Sequence, residues 1–267
     1  MIKKLLPFIL VSLVVASCSK YQKLLKSTDN EAKYETAIKF FEEKDYYRAI
    51  QLFEQLQPFY KGTDKAEKIA FYYAYAHYEE RDYILASYYF KQFAANYPSS
   101  RNAEEAAFLS AYCNYLDSPP RSLDQTTTHD AIQGLQLFIN RYPNSQRVAR
   151  ANELIDELRI KLEAKAYDIA DLYLKMEDYK AAIICFKNMI KDFPDTQYRE
   201  IAMFNIAKAS YYYAQKSYET KKQERFQDTA DALDNFLANY PDSKYRAEVL
   251  DLKKITEKEL QNLLTIK

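Results

Sequence analysis

Apolar positions recur along this chain in five blocks, each built of helical patterns that keep one order of small and aromatic residues. Three blocks share the motif x-Asp-Tyr-x-x-Ala-x-x-x-Phe, over residues 44–53, 81–90 and 177–186. An aromatic residue follows seven positions after each Phe, and the same separation joins Leu135 to Tyr142 and Leu233 to Tyr240 in the other two blocks. The apolar and polar alternation typical of β-strands is absent, so we expect an all-α chain.

Prolines mark where the helices end. Four of the five block-closing aromatics precede a proline directly, and Ser or Thr follows each proline two residues later, at Pro98, Pro143, Pro194 and Pro241. Proline ends one helix and the hydroxyl caps the next. Because these prolines recur every 45 to 51 residues, they would break the heptads of a coiled coil, which is the alternative architecture.

A second small residue lies twelve positions before the motif alanine in three blocks, at Ala37, Ala74 and Ala170, where it lets two helices approach closely. The order small, small, aromatic and proline resembles the tetratricopeptide repeat (TPR). The resemblance implies a right-handed α-solenoid of five helix pairs, closed by a capping helix from about Ser243 to Leu264.

Three departures from the repeat predict local additions. In copy three the two small residues lie twenty positions apart, and the insert includes residues 118–122 and 126–128, which we expect to form a loop. Copy four lengthens its first helix by fourteen residues, close to four helical turns. Copy five gains a segment at residues 216–225 without Gly or Pro, so we expect helices that project beyond the solenoid.

The N-terminus has the pattern of a secretory signal. Lys3 and Lys4 precede an apolar stretch, residues 5–15, that is too short to span a bilayer. Its end, residues 14–18, resembles a bacterial lipobox, which predicts a signal peptide at residues 1–17, acylation of Cys18 and a lipid-anchored linker at residues 18–29. The alternative is an ordinary signal peptide followed by an incidental cysteine.

Composition argues against an enzyme. The chain has two glycines, Gly62 and Gly134, which cannot form a dinucleotide-binding or P-loop motif and leave almost no backbone positions free for positive φ. The two histidines, His77 and His129, lie far apart and form no zinc-hydrolase motif. The recurring acids Asp45, Asp82 and Asp178 are expected to be structural turn residues. We therefore expect no catalytic residue, metal site or cofactor.

Charge and cysteine content bear on the expected partners and on the state of the thiols. Lys and Arg together number 38, as do Asp and Glu, which gives no electrostatic case for nucleic acid as a partner. Cys113 and Cys185 lie inside helical patterns and are expected to be buried free thiols, although an oxidising compartment would permit a bridge between them.

Several segments between residues 96 and 200 resemble one particular family of TPR proteins. They are Leu123-Asp124-Gln125 in the insert, residues 141–146, residues 165–173 and residues 192–197. With the signal pattern, they resemble the BamD family, the TPR lipoproteins of the machinery that assembles β-barrel proteins in the bacterial outer membrane. The resemblance implies a lipoprotein anchored in the outer membrane and facing the periplasm. Its partners would be the periplasmic domains of a BamA-like barrel insertase and unfolded outer-membrane β-barrel proteins.

The first helix of each TPR pair lines a groove, and the groove positions of copies one to three are mostly aromatic. This predicted aromatic groove comprises Tyr34, Phe41, Phe71, Tyr75, Tyr78, Phe108, Tyr112 and Tyr115. A second patch is predicted at Phe204, Tyr211 and Tyr212. Tyrosine suits a wet recognition surface because its apolar ring ends in a polar hydroxyl, although a stripe at helical spacing could also be core packing.

These positions divide the expected functions along the chain. Residues 30–142 are predicted to bind substrate, and residues 143–267, with their projecting helices and capping helix, to dock on the insertase. The competing function is that of another TPR lipoprotein, scaffolding a cell-envelope or polysaccharide-handling complex, because one fold serves many partners.

Overall fold

The computed structural model describes residues 20–265, so Cys18 and the signal segment lie outside the described part. A short helical segment, residues 20–25, precedes eleven helices in this range, and the range contains no strand. The helices are α1 (Asn30–Glu42), α2 (Tyr46–Tyr60), α3 (Asp64–Glu79), α4 (Tyr83–Asn96), α5 (Ala103–Asp117), α6 (Thr126–Arg141), α7 (Val148–Lys175), α8 (Tyr179–Asp192), α9 (Arg199–Gln215), α10 (Glu219–Asn239) and α11 (Arg246–Thr265). The predicted all-α fold of five TPR-like pairs and a last helix is confirmed.

The alanine and phenylalanine series forms the core, as predicted. The two small residues and the Phe of each aligned block have no exposed surface: Ala37, Ala49 and Phe53; Ala74, Ala86 and Phe90; Ala170, Ala182 and Phe186. Alanine at these contacts lets the two helices of a pair pack closely, and the Phe ring fills the space between neighbouring pairs. Burial of such series against neighbours is what stabilises repeats of this kind.

The turn inside three helix pairs is built from the motif Asp. The side chains of Asp45, Asp82 and Asp178 each accept a hydrogen bond from the backbone N–H three residues later, as helix N-caps do. Their structural role is thereby confirmed.

The backbone of the residue before each capping Asp contradicts the expectation that almost no residue would adopt positive φ. Lys44, Arg81 and Glu177 have φ of 62°, 63° and 60°, so three non-glycine residues take the left-handed conformation that glycine scarcity was expected to prevent. In the first turn the N–H of Asp45 donates to Phe40 O at 2.8 Å, and that of Lys44 to Phe41 O at 3.1 Å. These are the two bonds of a Schellman motif. Together with the Asp cap, they outweigh the ~1–2 kcal/mol cost of a left-handed residue.

The turns between helix pairs follow the prolines. Helices α4, α6, α8 and α10 end two residues before Pro98, Pro143, Pro194 and Pro241, as expected. The hydroxyl two residues after each proline accepts a backbone N–H two residues further on, and the next helix begins one residue later still. It therefore caps the turn that leads into the helix rather than the first helical residue.

Three of these hydroxyls make a second bond, back to the repeat that has just ended. Ser100 Oγ donates to Glu67 at 2.6 Å, Ser145 Oγ to Glu104 at 2.6 Å, and Ser243 Oγ to Glu200 at 2.5 Å. Each Glu lies in the first turn of the first helix of its pair. Each serine thus links the end of its repeat to the first helix of the same repeat. The same hydroxyl also caps the turn that leads into the next helix.

The additional residues of copies three to five lie where they were predicted along the chain, with one correction, and the projection of the longer helices beyond the solenoid stays a prediction. The copy-three insert forms a loop at residues 118–125, but Thr126–Thr128, which we expected in the loop, form the first turn of α6. Thr128 is fully buried, and its hydroxyl donates to Gln125 Oε1 at 2.7 Å. Helix α7 runs for 28 residues, and α9 and α10 for 17 and 21, as the lengthened copies required.

The described chain divides into two compact units at a boundary in the sequence of α7, one ending at Leu158 and the other beginning at Arg159. In the first, Leu154 and Leu158 complete a core shared with Phe90, Phe93 and Phe138. In the second, one cluster surrounds Ala170 and Phe186, and another joins Phe204, Leu233 and Phe236 to Val249 of α11. The predicted functional halves, residues 30–142 and 143–267, stay a prediction.

Candidate peptide-binding groove

The residues of the predicted aromatic groove lie on the first helices of the first three pairs, α1, α3 and α5. Six of the eight side chains are half-buried: Tyr34, Phe41, Tyr75, Tyr78, Tyr112 and Tyr115. The other two, Phe71 and Phe108, are each 8% exposed and belong to the core cluster of the first unit. The surface that the groove can offer a ligand therefore comes chiefly from tyrosines.

The rings form two series, one along α5 and one that joins α1 and α3. In α5, Phe108 stacks on Tyr112 at 5.8 Å between ring centroids, and Tyr112 stacks on Tyr115 at 5.7 Å, with interplanar angles of 12° and 10°. Between α1 and α3, Phe41 stacks on Tyr72 at 4.3 Å. Tyr72 lies beside groove position Phe71 and was not singled out by the repeat positions. The stacking explains why long aromatic side chains share one face without collapsing into the core.

Tyr75 has four ring neighbours, as many as Phe71. Its ring lies 5.7–6.1 Å from those of Phe41, Phe71, Tyr78 and Phe90. The hydroxyls of Tyr75, Tyr78 and Tyr112 have no hydrogen-bond partner within residues 20–265, and burial raises the pKa of Tyr78 to about 12. These three hydroxyls are available as hydrogen-bond donors to a ligand.

One end of the groove carries an ion pair between α1 and α3. Lys65 Nζ contacts the two carboxylate oxygens of Glu31 at 2.5 and 2.6 Å and lies 4.6 Å from the ring centroid of Tyr34. Tyr60 donates to the same carboxylate at 3.1 Å. The hydrogen bond from Lys65 is the main reason that the pKa of Glu31 is lowered. This cluster ties the first two repeats together beside the aromatic series.

Lys68 lies one helical turn before Tyr72 on α3. Its Nζ is 5.2 Å from the centre of the Tyr72 ring, and it makes no ion pair within the described chain. The Tyr72 ring is in turn stacked on Phe41. A free ammonium beside two stacked rings is suited to an anionic group attached to an aromatic one. Sequence reasoning passed over Lys68 because it looked for aromatic residues only.

The first part of α7, with Arg147 directly before it, supplies the charges at the other end. Tyr115 donates to Glu157, which also accepts from Arg150 at 3.2 Å. Its hydrogen bond to Glu157 raises the pKa of Tyr115. Arg147 lies 3.4 Å from Glu105 and 5.8 Å from the Phe108 ring centre. These are satisfied pairs, so they frame the tyrosines rather than leave a charge for a ligand.

The second predicted patch is less exposed than the first. Phe204 is 5% exposed and stacks at 4.3 Å on Tyr245, the residue before α11, so it packs in the core of the second unit. Tyr211 and Tyr212 are half-buried, and Tyr212 stacks on Tyr179 of α8 at 5.3 Å. Two tyrosines, not three aromatics, are therefore available at this patch.

The second unit exposes a different surface that the sequence did not reveal. Ile169 and Leu172, in the last two turns of α7, and Met176, directly after its end, are 42%, 56% and 66% exposed and follow one another at helical spacing. We call these three residues the apolar row. A helical apolar pattern normally indicates the buried face, and here the buried face holds Ala170 instead. Separately, a cavity of about 690 Å³ lies between α8, α9 and α10, with Ile183, Ile206 and Ala232 among its lining residues.

The two cysteines in the described part of the chain, Cys113 and Cys185, are free thiols. Cys113 is buried, as expected, and burial raises its pKa to about 12. Cys185 is only half-buried, because it lies at the margin of the cluster around Phe186. Burial also raises the pKa of Cys185, so neither thiol is activated as a nucleophile.

Comparison with known proteins gives one family. A family model described as an outer membrane lipoprotein, YfiO, matches residues 26–225, well over half of the chain and including all eight predicted groove positions. A search of curated proteins returned no match. Within residues 20–265, no helix has both the length and the apolar character needed to cross a membrane.

Proposed function

Because the chain belongs to the YfiO family of outer membrane lipoproteins, we propose that it is a BamD-like assembly factor whose aromatic groove binds extended segments of unfolded β-barrel proteins. The observation that carries the proposal is the set of half-buried tyrosines on three consecutive first helices. Their own packing partners, the Ala and Phe series, are already complete beneath them. Tyr in excess of Leu at such positions favours recognition over packing.

The geometry of the rings suits an extended peptide. Alternate side chains of an extended strand lie on one side at about 6.8 Å intervals, and successive rings on α5 lie 5.7–5.8 Å apart. A barrel protein ends in a strand of aromatic and apolar residues that alternate with polar ones. Such a segment can set its alternate side chains against successive rings while the free tyrosine hydroxyls contact its backbone.

Tyr112 is the cleanest position for a test. Tyr75 contacts four rings, so its truncation should also cost folding stability, whereas the rings that Tyr112 contacts, Phe108 and Tyr115, lie on its own helix. An exposed hot-spot aromatic contributes about 2 kcal/mol, or roughly thirtyfold in affinity. We expect Tyr112→Ala to lower crosslinking to a peptide that copies a barrel C-terminus by about this factor, with nearly unchanged thermal melting.

Tyr88 provides the matched control. It is 54% exposed on α4, a second helix of its pair, and Tyr88→Ala removes the same side chain outside the groove. Crosslinking should be unaffected in this variant. If Tyr112→Ala melts far below the wild type, or crosslinks as well as Tyr88→Ala, then the rings are packing and the substrate binds elsewhere.

Anchoring at the outer membrane is the second part of the proposal. Cys18 is the proposed lipid attachment site and the periplasm the proposed side. One acyl chain gives only marginal membrane binding and several give a stable anchor. Cys18→Ala should therefore release the chain or leave its signal uncleaved. Membrane retention with normal processing, measured by fractionation and mass spectrometry, would refute the anchor.

Docking on the barrel insertase is assigned to the second unit. The apolar row supports this because an exposed row of large apolar side chains marks an interaction surface. Helix α11 also has exposed Leu250 and Ile255, although its Val249 is fully buried against Phe236 and Leu233. The helix therefore also caps the core, and its deletion would confuse loss of docking with loss of stability.

Point substitutions separate the two roles. Leu172→Glu and Met176→Glu place charges on the apolar row without opening the core, since both side chains are more than half exposed. We expect them to reduce co-purification of the insertase in mild detergent at unchanged helicity. Leu137→Glu, at a side chain 61% exposed on α6, is the control in the first unit. Equal yields in all three variants would place the docking surface elsewhere.

A further inference from the structure

The first described residues are fixed to the first repeat. In the helical segment at residues 20–25, the Tyr21 hydroxyl donates to Gln51 Oε1 at 2.9 Å and its ring meets Phe40 edge-on at 5.6 Å. Lys33, only 6% exposed, donates to the Leu25 carbonyl at 3.1 Å. Burying an ammonium against neutral oxygens is costly, so the position of this segment is built into the fold.

Positive charge is concentrated on the outer side of this segment. Lys20, Lys23 and Lys26 are exposed, while Tyr21 and Leu24 pack against the core of the first repeat. The three lysines form no ion pair within the described chain. Residues 20–28 contain no acid, although basic and acidic residues balance over the whole sequence. The segment is therefore a local cationic surface in a chain with no net charge.

The proposed lipid anchor lies within a few residues of this surface. Tyr21 follows Cys18 by three residues, and an extended chain spans at most about 3.6 Å per residue, so the two stay within about 11 Å. The Debye length at physiological ionic strength is about 8 Å. The potential of an anionic membrane surface therefore reaches the lysines once Cys18 is lipidated.

Building on the proposed lipid anchor, we infer that Lys20, Lys23 and Lys26 bind the phosphate groups of anionic phospholipids in the membrane that holds the chain. The acyl chains keep the first repeat close to the bilayer, and the lysines fix the orientation of that repeat on the bilayer surface. Because Tyr21 and Leu25 are bonded to α2 and α1, the contact holds the first repeat against the bilayer surface. A flexible tether alone would leave that repeat free to rotate.

The absence of tryptophan from the chain gives a direct assay. Gln22→Trp places a single tryptophan at an exposed position between the lysines. The mature lipidated protein is reconstituted in vesicles that contain a headgroup spin-labelled lipid, with or without phosphatidylglycerol. We expect strong quenching of Trp fluorescence with phosphatidylglycerol, weaker quenching in purely zwitterionic vesicles, and recovery of fluorescence in high salt.

The same assay on charge variants tests the lysines. Each lysine near an anionic surface contributes about fivefold in binding, so Lys20, Lys23 and Lys26→Gln together should remove the effect of phosphatidylglycerol. Lys91→Gln on α4 is the control and should change nothing. Equal quenching in both vesicle types and in all variants would overturn the inference about the lysines and leave the proposed anchor standing. A chain that does not float with the vesicles would overturn the anchor and the inference together.

Discussion

Gly134 allows a quantitative test of how closely the helices beneath the groove approach. It lies inside α6, and a Cβ added there would come within 2.9 Å of Ala111 Cβ on α5. Replacing glycine by alanine inside a helix ordinarily stabilises by about 1 kcal/mol, whereas overpacking a close contact costs about 1–3 kcal/mol. Neither methyl can rotate away, so we expect Gly134→Ala to lower the free energy of unfolding by roughly 1 kcal/mol.

The sign of the effect should depend on residue 111. In the Ala111→Gly background the nearest remaining atom is the Cα of residue 111, at an ordinary contact distance of 3.4 Å, so Gly134→Ala should now stabilise by about 1 kcal/mol. Urea unfolding followed by circular dichroism, with equal m-values, measures all four members of the cycle. Stabilisation by Gly134→Ala in the wild-type background would refute the close approach of α5 and α6.

Three further outcomes are expected. Asp178→Ala removes the acceptor of the Ala181 N–H and should lower the free energy of unfolding in urea by about 1 kcal/mol. Burial lowers the pKa of His77 below its unfolded value near 6.5. Its contribution to stability is thus complete above that pH and is lost as pH falls through the folded pKa, so thermal melts between pH 7.5 and 5 should depend less on pH in His77→Gln. Because the Lys68 ammonium lies beside stacked rings and makes no ion pair within the described chain, we expect an aromatic-ended peptide to bind more tightly with a free C-terminal carboxylate than when amidated, and Lys68→Gln to abolish this difference in fluorescence anisotropy.

Much of the fold could be predicted because its signals are local and repeated. The alanine spacing, the capping Asp and the proline turns each act within one repeat, and all recur in the structure. The left-handed residues Lys44, Arg81 and Glu177 could not be predicted from residue type, because bonds from their neighbours impose that conformation. Thr126–Thr128 were wrongly predicted to lie in the loop because three consecutive threonines are typical of turns. In the structure the burial of Thr128 favours the first turn of α6 instead.

The candidate site was predictable to a smaller extent. Repeat positions located the aromatic face but could not separate Phe71 and Phe108, which are buried, from the tyrosines beside them. The contribution of Tyr72 and Lys68 depends on stacking between α1 and α3, which no pattern within a single helix encodes. The apolar row at the end of α7 was not predicted because its helical spacing is that of a buried face.

The serine hydrogen bonds at the repeat junctions affect how local unfolding spreads through the molecule. Ser100, Ser145 and Ser243 each join a finished repeat to the chain that starts the next. In a linear array, cooperativity depends on such nearest-neighbour terms as well as on the stability of each repeat. A serine-to-alanine change at one junction would leave both adjoining cores intact while weakening their coupling. Unfolding would then be less cooperative across that junction, and partly folded forms would be more populated than in the wild type.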